Sequence, residues 1–476
     1  RGICMALGFG SYSIAKSGLY SNERALNVIG HNISNLNTAG YVRQQAVIAD
    51  STYKLIRSKD GFYQFGTGSD VIQIRQIRDQ FLDEMYRKES MSYGYWEATC
   101  KTIQDVEAIL GDPMSDSFQT VINNFWDSWQ ELSKEPESLT LRAVVHQRGV
   151  LLADTLNHID EQLNKMQKDL ITEINVRINE INDITSQIAK LNEDIYKYEL
   201  SNSIANDYRD QRNILADRLS RLVNANIIET DKGQLLVTIG GFSAVNGNKN
   251  KELFMENVDD MTPGALKFKG SDAEVYLKNG TVKGLLDSIG EIQDIKDMMN
   301  NLAAGIAEAV NSLHKSGKTM KLPPEDGADF FVSIANGTPI TIGNIKINDD
   351  LDDLNNLVTS LSGENGDNAI ALGIADLRHR LIITDETGML TVDEYYQTII
   401  SRVGEEGERA LNFVKNQDGL LKAANAKREA IFGVSLDEEM TNMMKFKFAY
   451  DASSRLFNAI DEMMETIINR MGAVGR

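Results

Sequence analysis

The sequence predicts a mainly α-helical chain with a small β-rich insertion. Apolar residues recur at heptad spacing in several long segments, β-like runs cluster between them, and only 6 of 476 residues are proline. Long isolated helices are marginal in water and need partners. We therefore expect an elongated multi-domain rod of long coiled-coil-like helices, in which the N-terminal and C-terminal halves pack together.

The first helical segment runs into an asparagine-rich turn. Its apolar seam alternates at spacings of three and four through Leu19, Leu26, Ile29 and Ile33, with the polar Asn22 inside it. Residues 32–41 form the turn, and Gly40 supplies a position free to take a positive φ. Residues 46–77 look extended and irregular, with a short strand at 70–75.

Helices dominate the next 150 residues. Trp126 and Trp129 lie three positions apart, as expected for the core of a helix. The longest region keeps one heptad register from Leu156 to Leu170 and a second, offset register from Ile174 to Ile195. The predicted helices cover 79–110, 115–132, 139–199 and 208–223.

The pattern changes near Ala225. Residues 227–230, 235–239 and 274–277 are β-like and are separated by glycine-containing turns. A return helix follows with a heptad seam from Leu285 to Leu313, and 330–390 is mixed. From residue 391 the chain is predicted helical, with breaks near Gly404 and Gly433.

These patterns predict a division into seven segments. The first is an N-terminal assembly helix and the last is a C-terminal assembly helix, with a helical rod, a small β-rich domain and a mixed insertion between them. The segments are 1–45 (assembly helix), 46–224 (rod, first half), 225–284 (β-rich domain), 285–320 (return helix), 321–390 (mixed insertion), 391–435 (rod, second half) and 436–476 (assembly helix).

Charge and cysteine content exclude several classes of protein. The formal net charge of −20 should repel nucleic acid and anionic membranes, and no run of 18 apolar residues predicts a membrane span. The two cysteines, Cys4 and Cys100, are too few for a disulfide framework. Two free thiols are expected, and a single bridge between them stays open as an alternative.

Enzyme chemistry has no support in the sequence. Residues 316–319 resemble the end of a phosphate-binding loop, but Ser312 stands where that motif needs glycine. The five histidines lack metal-ligand spacing, and the acidic run 349–353 lacks the calcium-loop pattern. We expect no catalytic, cofactor-binding or metal residues, no cofactor and no enzyme activity.

Motifs at both ends carry a specific resemblance. Residues 21–26 (SNERAL) and 32–44 (NISNLNTAGYVRQ), together with 434–443 (VSLDEEMTNM), resemble the N-terminal and C-terminal signatures of the flagellar axial proteins of the rod, hook and hook-junction group. Many relatives carry proline where Ala39 stands, so this turn is expected to be less rigid.

Interior motifs resemble the hook-junction branch of that family. They are residues 207–213, 307–317, 329–331 and 368–372. The resemblance implies an extracellular structural adaptor at the hook–filament junction, exported without a cleaved signal peptide. It also implies four partners: further copies of the chain in a ring, the hook protein, the third hook-associated protein and a cytoplasmic export chaperone.

The terminal helices are the predicted assembly interface. We expect their apolar residues to be exposed in a single chain, and the helices to order when a neighbour covers them. The predicted interface residues are Leu19, Leu26, Ile29, Ile33, Tyr41, Leu436, Met443, Tyr450, Phe457, Ile460, Met464, Ile467 and Met471.

Three alternatives remain at this stage. A hook or distal rod protein would share both ends but have a mostly β interior, which the long heptads disfavour. A flagellum-associated hydrolase would need a carboxylate pair or a metal site within 225–390, where none is legible. A free coiled-coil binding protein would make the terminal motifs a coincidence.

Overall fold

The computed structural model describes residues 2–58, 61–111, 118–200, 203–230, 232–256, 261–321, 323–335, 337–385 and 388–470. Long helices dominate these residues, which confirms the mainly α prediction. The helices are α1 (Gly2–Ser34), α2 (Gln80–Leu110), α3 (Phe118–Lys134), α4 (Leu139–Glu199), α5 (Asn206–Leu222), α6 (Thr281–Ser316), α7 (Ala369–Ala375), α8 (Val392–Phe432) and α9 (Leu436–Arg470).

The strands form small antiparallel sheets. β5–β8 make one four-stranded sheet, and the other strands pair two by two as β1–β4, β2–β3, β9–β10, β11–β12 and β13–β14. The strands are β1 (Gln44–Asp50), β2 (Tyr53–Ser58), β3 (Gly61–Gly66), β4 (Ser69–Gln76), β5 (Ala225–Glu229), β6 (Leu235–Ile239), β7 (Phe242–Asn246), β8 (Lys249–Asn250), β9 (Leu253–Met255), β10 (Leu266–Phe268), β11 (Phe331–Ser333), β12 (Ile345–Ile347), β13 (Ile383–Asp385) and β14 (Gly388–Leu390).

The chain divides into two compact units. Unit 1 comprises Arg1–Met91, Ile181–Glu252 and Gly419–Arg476, and unit 2 comprises Ser92–Glu180 and Leu253–Asp418. Unit 1 therefore holds both chain-end helices, α1 and α9, together with α5 and sheets β1–β4, β2–β3 and β5–β8. The seven-segment division made from the sequence remains a prediction.

Unit 2 has an aromatic core that the spacing of Trp126 and Trp129 predicts. Both side chains are at most 2% exposed, and the Trp129 ring lies 5.5 Å from the ring of Phe330. The α6 heptad residues Leu285 and Ile292 are also buried. Burial of the aromatic and heptad side chains confirms the helix-core interpretation of both patterns.

A cluster of buried polar groups ties the end of α6 to the loops that follow it in unit 2. Asn311 Oδ1 accepts the backbone N–H groups of Phe330 and Phe331, both at 2.8 Å. His314 is fully buried, and its Nε2 accepts the N–H of Val358 at 2.9 Å. A Cβ at Gly317 would lie 2.5 Å from the Ser360 carbonyl oxygen, so only glycine fits there. The resemblance to a phosphate-binding loop at 316–319 thus reflects a helix end packed against backbone.

Three predictions of local structure are wrong. Helix α8 runs without a break through Gly404, since one glycine costs a helix only about 1 kcal/mol and α8 buries Val403 before it and Ala410 after it. Residues 274–277 form no strand, and only Glu274 makes a bridge, to Lys267. The segment 46–77 is regular rather than irregular, because it contains β2–β3 inside the β1–β4 pair.

Candidate assembly surface at the terminal helices

Helices α1 and α9 pack against each other along their length and run antiparallel. Tyr12 lies 4.7 Å from Phe457 between ring centroids, and at the other end Asn32 binds Glu439. Between these points, a Cβ at Gly18 would lie 2.9 Å from Ser453 Oγ, which shows how closely the helices approach. The sequence predicts that the N-terminal and C-terminal halves pack together, and the two terminal helices do pack on each other within unit 1.

The structure divides the predicted interface residues into three groups. Ile29 and Ile460 are only 5% and 6% exposed, so the expectation that they are uncovered in a single chain is wrong. The other end of the same chain covers these side chains. Because this contact is intramolecular, it avoids the loss of translational and rotational freedom that the association of two chains would carry. Half-buried residues are Leu19, Leu26, Ile33, Tyr41, Met443, Phe457 and Met464. Exposed ones are Leu436 and Tyr450. Met471 and the side chain of Ile467 lie outside the described residues.

Asn32 holds the asparagine-rich turn to both terminal helices. Its buried amide donates to the Gln44 carbonyl oxygen at 2.9 Å and to Glu439 Oε2 at 3.1 Å. Its oxygen accepts from the Gln44 N–H at 3.0 Å and from the Tyr41 hydroxyl at 2.8 Å. Both donors and both lone pairs are used, and only an asparagine-like amide can make this set at this length. We call the cluster of Asn32, Tyr41, Arg43, Asp210 and Glu439 the terminal node.

Charged pairs surround that amide. Glu439 is 2% exposed and accepts from Arg43 Nε at 2.7 Å, while Arg43 Nη1 donates to Glu438 at 2.6 Å. A buried carboxylate is stable only when it is paired and hydrogen-bonded, as Glu439 is. The ion pair links the residue after the turn to the first turn of α9.

Helix α5 supports the node from the interior. Asp210 accepts the Val42 N–H at 3.2 Å and Gln76 Nε2 at 2.7 Å, and burial raises its pKa to about 7. Desolvation also raises the pKa of Tyr41 well above its ordinary value, with neighbouring carboxylates adding to the effect. Gly40 has φ +75°, and a Cβ there would lie 2.4 Å from Ile214 of α5. The segment 207–213 noted in the sequence is therefore a structural support for the turn.

A second apolar surface lies on the outer side of α9, opposite the side that contacts α1. At about 100° per residue, the side chains of Met440, Met444 and Phe448 fall roughly 130–175° from the side that carries Ser453, Phe457 and Ile460. The outer face consists of Met440 (46% exposed), Met444 (52%) and Phe448 (70%), while the exposed Leu456 (47%) and Met463 (61%) lie on a flank, about 70–90° from the α1 side.

Sequence reasoning missed this outer face because it followed a single heptad seam. The signal was present, since 440–448 places methionine and phenylalanine on more than one side of the helix. A helix with apolar residues on two sides is expected to pack against a partner on each of those sides. Large exposed apolar patches of this kind mark interaction surfaces.

The described residues contain no group of three or more His, Cys, Asp or Glu side chains placed to hold a metal. Within the same residues, no helix is long and apolar enough to cross a membrane. Cys100 is a free, buried thiol whose pKa is raised by that burial.

Family models match three parts of the chain. The flagellar hook-associated protein FlgK helical domain matches residues 103–331. The flagella basal body rod protein model matches 13–41, and the flagellar basal body rod FlgEFG protein C-terminal model matches 431–471. The last two matches cover most of α1 with its turn and all of the described α9.

Relatives extend the similarity to the full length. Flagellar hook-associated protein 1 of Bacillus subtilis (strain 168) is 31% identical, over 99% of this chain and 100% of the relative. The protein of that name from Salmonella typhimurium is 21% identical over 96% and 98%. The structure of the flagellar hook junction protein FlgK from Burkholderia pseudomallei matches with a TM-score of 0.63 at 13% identity, over 75% of this chain and 100% of that chain.

Proposed function

The chain belongs to the flagellar hook-associated protein 1 family, the structural adaptors of the bacterial hook–filament junction, and we propose that it works there by polymerising as a ring through its terminal helices. The observation that carries the proposal is the outer face of α9. The chain pairs its two ends internally and still leaves a row of large apolar side chains in water.

The predicted interface residues have two roles in this proposal. Ile29, Ile460 and the half-buried residues hold α1 to α9, while the exposed residues of α9 contact the neighbouring copy. Burying a methionine or phenylalanine side chain contributes about 1.5–3 kcal/mol, so the three outer-face side chains can offset part of the cost of association.

Neighbours in the flagellum follow from the same proposal. The ring would contact the hook protein on one side and the third hook-associated protein on the other, and a cytoplasmic chaperone would hold the chain before export. The family match at residues 103–331 favours this function over a hook or rod protein, because that model describes a hook-associated helical domain. A hydrolase has no supporting observation in the described residues.

The test uses Phe448→Asp, which places a charge on the outer face without touching the α1–α9 contact. We expect cells carrying it in place of the native gene to form hooks without filaments and to lose filament protein to the medium. The free energy of unfolding should change by less than about 0.5 kcal/mol, because Phe448 is a surface residue of the single chain.

The matched control is Leu361→Asp, since Leu361 is 56% exposed in unit 2. It should leave filaments intact. Ile460→Asp provides the contrast, because it should destabilise the helix pair as well as block assembly. Normal filaments on cells carrying Phe448→Asp would show that assembly does not need the outer face.

A further inference from the structure

Two methionines on the outer face of α9 are open to water in the single chain. Met440 and Met444 are 46% and 52% exposed, and they lie one helical turn apart on the same side of the helix. Phe448 follows after one further turn and is 70% exposed. By contrast, Met299 is fully buried and Met255 is only 8% exposed. A small reagent in solution therefore has access to the outer-face methionines and not to those of the core.

An exposed methionine can be modified, because its thioether sulfur is open to oxidation. With a neutral peroxide such as hydrogen peroxide, a sulfur lone pair attacks one peroxide oxygen, so that an S–O bond forms and the O–O bond breaks. The sulfur loses two electrons, and the second oxygen leaves as hydroxide and takes the proton of the transferred oxygen to form water. The net charge of −20 repels anionic oxidants, so the neutral class is favoured.

Oxidation changes what the outer face can bind. A sulfoxide is polar, and its oxygen accepts hydrogen bonds, whereas the thioether is apolar. Burying such an oxygen against apolar side chains without a donor is unfavourable. Two sulfoxides would thus place polar groups on two of the three large apolar side chains of this face.

We propose that Met440 and Met444 form a peroxide-sensitive modification site, and that their oxidation prevents an unassembled chain from packing on its neighbour. The inference rests on the proposed ring function, in which the outer face contacts the next copy. In the ring that contact covers both sulfurs, so the sensitivity belongs to the chain before it is incorporated. Methionine sulfoxide reductases, which return the sulfoxide to the thioether, would reverse the effect.

The test measures the binding of the purified full-length chain to hooks isolated from cells deleted for the native gene. Co-sedimentation with the hooks reports binding, and peptide mass spectrometry reports the oxygen added at each methionine. We expect hydrogen peroxide to oxidise Met440 and Met444 at least about tenfold faster than Met299, and to lower binding about tenfold. Treatment with the two methionine sulfoxide reductases, one for each sulfoxide epimer, should restore binding.

Two variants assign the effect to these sulfurs, and each is compared with its own untreated sample. Met440→Leu combined with Met444→Leu removes both sulfurs and keeps the face apolar, so peroxide should lower its binding by less than about twofold. The matched control is Met389→Leu, since Met389 is 55% exposed in unit 2. Peroxide should lower the binding of that variant as much as it lowers the binding of the unsubstituted chain.

The outcomes separate the modification site from the function. Equal losses in the doubly substituted and the unsubstituted chain overturn the site and leave the adaptor function standing. Full binding by an unsubstituted chain that carries both sulfoxides has the same meaning, as does oxidation of Met440 and Met444 no faster than that of Met299. Failure of the untreated, unsubstituted chain to bind hooks overturns the proposed function itself.

Discussion

Each unit of the molecule anchors a loop to a helix through one asparagine, but the two surroundings differ. In unit 1, Asn32 donates to Glu439, which is in turn paired with Arg43. In unit 2, Asn311 lies beside Phe330 and the buried, neutral His314. An asparagine side chain therefore makes its hydrogen bonds beside charged side chains in unit 1 and beside aromatic side chains in unit 2.

The difference indicates which unit still exposes apolar surface that a partner could cover. The cluster in unit 2 lies against the buried ring of Phe330, which contacts the His314 ring. The terminal node in unit 1 is adjacent to α9, whose outer face is exposed, and it contains the Arg43–Glu439 ion pair. We expect unit 2 to be the more stable body and unit 1 to be the one that responds to assembly.

The largest expected effect comes from Arg142 in unit 2. Its guanidinium is fully buried and donates to the carbonyl oxygens of Pro136, Leu354 and Leu357, among other acceptors. Arg142→Ala leaves those oxygens without a donor, and we expect a loss of about 3–5 kcal/mol, measured by denaturant unfolding.

The matched control for that variant is Arg378→Ala, which removes a partly exposed arginine that binds Asp127 at 3.3 Å. It should cost less than about 1 kcal/mol. Equal losses in the two variants would show that the buried arginine does not hold the loops of unit 2.

The next effect tests the terminal node. In Asn32→Asp the side chain can no longer donate to Glu439 or to the Gln44 carbonyl, and two carboxylates face each other. We expect about 2–4 kcal/mol less local stability. The measurement is hydrogen exchange, with faster exchange confined to unit 1.

Asn37→Asp supplies the control, because Asn37 is an exposed residue of the same turn. Its exchange pattern should match that of the unsubstituted chain. If exchange in unit 2 accelerates together with that in unit 1 for Asn32→Asp, the two anchors are not independent.

The smallest effect per step of the measurement is in pH dependence, at most about 1.4 kcal/mol for each pH unit, and its sign should be opposite in the two units. Burial lowers the pKa of His314 from 6.5 to about 4, so the unfolded chain binds more protons in that range and stability rises with pH. Burial raises the pKa of Asp210 from 3.8 to about 7, so the folded chain keeps its proton longer and stability falls as pH rises.

Two variants isolate these slopes. Relative to the unsubstituted chain, His314→Gln should remove a rise in stability between about pH 4 and 6.5, and Asp210→Asn should remove a fall between about pH 4 and 7. Thermal unfolding across that range measures both. If both variants changed the slope of stability against pH in the same direction, the assignment of opposite slopes to His314 and Asp210 would be contradicted.

The sequence predicts most of the helical framework and part of the site. Heptads from Leu156 to Ile195 indicate a long helix, and the structure has it as α4. The terminal motifs indicate which residues matter, but not that Asn32, Arg43 and Glu439 meet. Their contacts join positions about 400 residues apart in sequence, and no local periodicity encodes such a distance.

The outer face of α9 shows the other limit. Hydrophobic periodicity indicates that a side chain will be buried, but it does not indicate which part of the structure buries it. Ile460 and Phe448 are equally apolar in sequence, yet one is covered by α1 of the same chain and the other is exposed. Only packing distinguishes them.

The antiparallel pairing of α1 and α9 has a practical consequence for labelling. Tyr12 and Phe457 are in contact, so reporters attached close to either residue lie at the same end of the helix pair and crowd one another. At Gly366 in unit 2 an added Cβ would meet nothing within 4 Å, so we expect a label attached at that turn to disturb the chain less.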